Sequence, residues 1–70
     1  RDAIPVETLR DIARTERDPA RRLPAALALA VLGDEAAYTV MRTDPLWAIR
    51  DRVGRMLAGE RETPDTRRQA

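Results

Sequence analysis

The chain has 70 residues and a formal net charge of +1, from 13 basic and 12 acidic side chains. Twelve residues are alanine, Tyr38 and Trp47 are the only aromatics, and Cys, His, Ser, Asn, Lys and Phe are absent. This admits one small domain with no disulfide or His/Cys zinc site to staple it, and excludes charge-relay triads, thiol nucleophiles, Schiff-base lysines and Walker lysines.

The first helix is predicted over residues 5–17. Val6, Leu9, Ile12 and Ala13 recur at helical spacing, and Pro5 fits a first-turn position where its missing N–H costs nothing. Glu7, Arg10, Asp11 and Arg14 take the outer face, with Glu7–Arg10 and Asp11–Arg14 as i,i+3 pairs. Asp18-Pro19 is an N-cap carboxylate followed by proline at N1, so a second helix is predicted over residues 19–32. Its apolar stripe is read as Leu23, Leu27, Ala30 and Val31, and Gly33 supplies its stop. Pro24 lies inside it and is expected to kink or restart it. Asp34 caps a third helix over residues 35–42, with Ala37, Val40 and Met41 inward. Asp44-Pro45 repeats the start signal for a fourth over residues 45–58, with Leu46, Ile49, Val53, Met56 and Leu57 inward. Residues 60–70 carry no large apolar side chain and are expected to form a disordered, mobile polar tail. No segment reads as a strand, so residues 1–59 are expected to form one all-α domain of four helices.

Shifted by 26 residues, the sequence meets itself. Asp18-Pro19 falls on Asp44-Pro45, Leu23 on Ile49, Leu27 on Val53, Val31 on Leu57 and Gly33 on Gly59. Within the second unit, Asp44-Pro45-Leu46-Trp47-Ala48-Ile49-Arg50 followed by Val53-Gly54 and Leu57 resembles the HEAT-like helical repeats of bacterial proteins. Leu32-Gly33-Asp34-Glu35-Ala36-Ala37 is similar to that family's turn into its second helix. The resemblance covers residues 18–59, with Pro24 standing where the family has its arginine and a shortened repeat period. It implies a short right-handed stack of helical hairpins that binds other macromolecules. Such units do not bury their faces alone, and about three are normally needed. The chain is therefore expected to be a cap-like module, a piece of a longer array, or a chain completed by self-association. The first residue is Arg1 and not Met, so residue 1 is not expected to be the native start.

Trp47 lies at the edge of the fourth helix's apolar stripe. It is read either as a binding anchor or as a half-buried side chain closing a small core. Arg50 is expected to reach the Asp44 cap region of its own or a neighbouring unit, and Arg52 and Arg55 to form a solvated face with Asp51. Trp47, Leu46, Arg50 and Arg42 together make a candidate patch for an acidic peptide or a phosphate. Gly54, with Ala48 and Ala58, is a place for close approach by the second helix or by another copy of the chain.

Catalytic, cofactor and metal sites are not expected. The close acid pairs, Asp34-Glu35 and Glu60/Glu62, sit at a cap and in the tail with no apolar pocket to raise a pKa. The partner is expected to be another protein or a second copy, as a homodimer. The alternative is a small nucleic-acid-binding domain, because Gly33 followed by Thr39-Val40-Met41-Arg42 loosely resembles a helix-turn-helix. The evenly spread charge argues against it, since a general phosphate-backbone binder needs a basic face. No apolar run reaches the roughly 18 residues of a membrane span and no signal peptide opens the chain, so the expected location is the cytoplasm. Arginine as the sole basic residue, beside much alanine and proline, points to a GC-rich bacterial genome.

Overall fold

A computed structural model of the chain describes residues 4–59. Four helices follow one another: α1 (Val6–Thr15), α2 (Pro19–Leu32), α3 (Glu35–Thr43) and α4 (Trp47–Leu57). No strand occurs among the described residues. The tail expected over residues 60–70 lies outside them.

Local chemistry sets most of the boundaries. The Asp18 carboxylate accepts a hydrogen bond from the Ala20 N–H with Pro19 at N1, and the Asp34 carboxylate accepts one from the Ala36 N–H. Gly33 ends α2 at φ +71°, with its N–H on the Ala30 carbonyl and the Asp34 N–H on the Leu29 carbonyl. That six-to-one and five-to-two pair is a Schellman stop, which only a glycine adopts without strain.

Several helix ends depart from the sequence reading. Pro5 stands just before α1 as its cap, and α1 stops at Thr15 because Glu16 turns extended. The carbonyls of Glu16 and Arg17 then point to the Arg22 guanidinium, which donates to both at 2.9 and 3.2 Å. Asp44-Pro45 does not start α4 as Asp18-Pro19 starts α2. Asp44 is instead the C-cap of α3, and Leu46 the N-cap of α4.

The helices pack as two hairpins, α1–α2 and α3–α4, with α2 touching all three others and α1 and α4 not in contact. The domain is 20 Å in its thinnest direction, about two helix diameters. The core is built from Leu9, Ala13, Ala25, Ala26, Leu29, Ala30, Ala37, Val40, Ile49 and Val53. This supports the stripes read for α1 and α3 and all of α4's but Leu46, which is exposed. For α2 the face is corrected. Arg22, Ala25, Ala26, Leu29 and Ala30 point inward, Leu23 and Leu27 form its half-buried edge, and Val31 is 53% exposed. A helix crowded on several sides needs short side chains for its neighbours to approach, so alanines take the centre and leucines the rim. Pro24 sits on the exposed side of α2, which runs through it without interruption. Its missing N–H leaves the carbonyl of exposed Ala20, four residues earlier, without its α-helical donor.

Gly54 faces α3, not α2. A Cβ built on it would meet Cγ and Sδ of Met41 at 3.4 Å, ordinary contact with a flexible side chain. Ala48 and Ala58 are exposed. Gly54→Ala is therefore expected to stabilise the domain by up to about 1 kcal/mol through helix propensity. A urea midpoint below that of the parent chain would show that the Met41 contact has no room to give.

Candidate interaction surface

The start of α4 carries the most exposed apolar side chains of the predicted patch. Leu46 caps the helix without a side-chain hydrogen bond and is 42% exposed, and Trp47, the first helical residue, is 68% exposed. The half-buried reading of Trp47 is thus corrected. With α4 beginning at residue 47 and its inward face centred on Ile49 and Val53, the indole projects beside the core instead of over it.

The arginines of the patch separate. Arg50 is half-buried and its Nη1 donates to the Asp44 backbone carbonyl, as its spacing suggested. That bond spans the α3–α4 turn. Arg42 is exposed and makes no hydrogen bond or ion pair among the described residues. It follows Met41, which faces Gly54, so at 3.6 residues per turn it points about 100° away from that contact. Gly54 lies against Met41 and offers little surface of its own. The structure therefore brings Leu46 and Trp47 into one exposed corner braced by Arg50, with no tie to Arg42.

Sequence reasoning missed the polar centre of the molecule. Arg22 and Asp44 form a buried, bidentate pair, Nε to Oδ2 at 2.8 Å and Nη2 to Oδ1 at 3.0 Å. Asp44 Oδ1 also accepts from the Leu46 N–H at 2.9 Å. One carboxylate therefore joins α2 to the α3–α4 turn, and one guanidinium joins it to the α1–α2 turn. The available signal was that Arg22, Ala25, Ala26, Leu29 and Ala30 share a helical face.

A second ion pair ties α1 to the start of α3. Arg10 donates to Asp34 from Nη2 at 2.6 Å and from Nε at 3.1 Å. The hydrogen bond from Arg10, then that from the Ala36 N–H, hold the Asp34 carboxyl below the usual carboxylate range, and Asp34 in turn raises Arg10. A depressed folded-state pKa contributes stability above the unfolded value, about 3.9, that is lost as pH falls through the folded one. Urea midpoints taken from pH 7 downward should thus converge between parent and Asp34→Asn below about pH 4. Parallel curves would remove Asp34 from the acid response.

Between α1 and α3 an open cleft of about 740 Å³ runs over the Arg22–Asp44 pair. Its floor includes Ala13, Ala36 and Val40, and Arg10, Arg14 and Arg17 line it from the α1 side. Its size falls within the usual range of ligand pockets. Among the described residues no cluster of three or more acidic side chains is placed to hold a metal ion. Asp34 is held ionised, the opposite of what a general acid near neutral pH requires. No helix among the described residues is long and apolar enough to cross a membrane.

Compared with protein-family models, with curated proteins and with solved structures, the chain gives no significant match.

Proposed function

We propose that this chain is a non-catalytic protein-interaction module, an adaptor or scaffold built as a HEAT-like stack of two helical hairpins and acting in the bacterial cytoplasm. Its partner is another protein or a second copy of itself, met at the Leu46–Trp47 corner. The observation that carries this reading is the exposure of Trp47, 68% of it in water on a domain short of large core side chains. Burying about 150 Å² of that indole is worth on the order of 4 kcal/mol before the cost of association, the scale of an interface hot spot. The hairpin arrangement and the Gly33 turn support the HEAT-like part of the reading.

The test starts with solution mass by light scattering over a tenfold concentration range, on the parent and on Trp47→Ala. The substitution is expected to leave stability within about 0.5 kcal/mol, since the side chain is outside the core. A dimer that Trp47→Ala dissociates identifies the second copy as partner. A monomer directs the search to another protein, captured by the parent and not by Trp47→Ala. Unchanged affinity in that variant removes the corner from the interface. Retention on heparin that falls steeply with salt would instead favour the nucleic-acid alternative.

A further inference from the structure

The cleft between α1 and α3 shares no side chain with the Leu46–Trp47 corner, and its hydrogen-bonding chemistry is one-sided. Three threonines line it, and each spends its hydroxyl proton on its own helix: Thr15 on the Asp11 carbonyl, Thr39 on that of Glu35 and Thr43 on that of Thr39. Their hydroxyl protons are therefore not offered to a ligand. The Arg22 guanidinium at the base is committed to Asp44 and to two carbonyls. Arg10 is held by Asp34 and Glu7. The donors left for a ligand are those of Arg14 and Arg17. Arg14 has only an exposed pair with Asp11, which holds it weakly, and Arg17 makes no ion pair among the described residues. Exposed arginine donors beside the apolar Ala13, Ala36 and Val40 suit a ligand carrying both an anionic acceptor and an apolar side chain.

We propose that this cleft binds an acidic segment of a partner protein, whose carboxylates meet Arg14 and Arg17 while a neighbouring aliphatic side chain rests on Ala13, Ala36 and Val40. Charge complementarity selects the acidic partner, and the apolar floor selects a peptide over a polyphosphate backbone. Nucleic acid is disfavoured on one further ground: the cleft holds no aromatic side chain on which a base would stack. Arg14 and Arg17 straddle the end of α1, so an extended segment crossing that end would reach both with successive acidic residues.

The experiment titrates the full chain with a synthetic peptide of alternating Glu and Leu, followed by backbone amide shifts and by anisotropy of the labelled peptide. The expected shifts lie in the second half of α1 and along α3. Affinity is expected to fall about fivefold or more in the Arg14→Gln/Arg17→Gln variant and to be unchanged in Trp47→Ala. Both arginines are exposed, so the double variant should keep its helical circular dichroism. Thr39→Trp, which obstructs the opposite wall, gives a second route to the same loss. Equal binding of a Gln/Leu peptide overturns the proposal, as does no binding at about 1 mM. So does tighter binding of a single-stranded oligonucleotide of the same length. A loss caused by Trp47→Ala and not by the arginine variant also overturns it, while leaving the Leu46–Trp47 reading intact.

Discussion

Asp44→Ala is expected to abolish cooperative thermal unfolding near room temperature and above. Arg22, 8% exposed, would keep its charge in the interior with no carboxylate to face. Removing one partner of a buried pair costs about 3–5 kcal/mol, which approaches the whole stability of a domain this small. The Leu46 N–H would lose its acceptor as well. Circular dichroism against temperature is the measurement, and a melt within a few degrees of the parent would refute the assignment. Asp44→Asn, which keeps an acceptor for Leu46 but not the charge, should fall between the two. The double change Arg22→Met/Asp44→Leu should recover most of the loss, because apolar side chains of similar volume replace a buried ion pair at little or no cost.

Leu29→Ala is the second large expected loss, at the upper part of the 2–5 kcal/mol range for such truncations. Leu29 is completely buried, and half of the ten core residues are alanines, which have no length with which to collapse into the void. Val31→Ala on the same helix should change stability by less than about 0.5 kcal/mol. Urea midpoints of the two variants decide which face of α2 is inward. A larger loss at Val31 than at Leu29 would reverse the assignment made from the structure.

That contrast marks the limit of what the amino-acid order discloses. Helix number and type were legible because Asp18, Asp34 and Gly33 act through bonds to residues two to five positions away. The stripes of α1 and α3 were legible because each shows one apolar face. The orientation of α2 was not, since its small and large apolar residues together circle most of the helix and only tertiary crowding chooses between them. The two Asp-Pro dipeptides look alike locally, and each aspartate accepts from the N–H two residues on, yet the second also pairs with Arg22 from 22 positions away. The start of α4 at Trp47 leaves the indole in water. Of the candidate patch, Arg50's bond to the Asp44 turn was readable from spacing, whereas the separation of Arg42 follows from how α3 is rolled against α4. The cleft could not be read at all, since it depends on the gap between α1 and α3.

The Arg22–Asp44 pair also bears on how long the folded state lasts. Each hairpin closes through contacts between chain neighbours, which form early and fast. The pair spans both hairpins and gains its geometry only when the α1–α2 and α3–α4 turns are both in place, so it is expected to form after the folding nucleus. Interactions of that kind leave the refolding rate almost untouched and act on the rate of escape from the native state. The bridge is then a latch: it does little to hasten assembly, and it sets the interval for which the two hairpins, once docked, stay together.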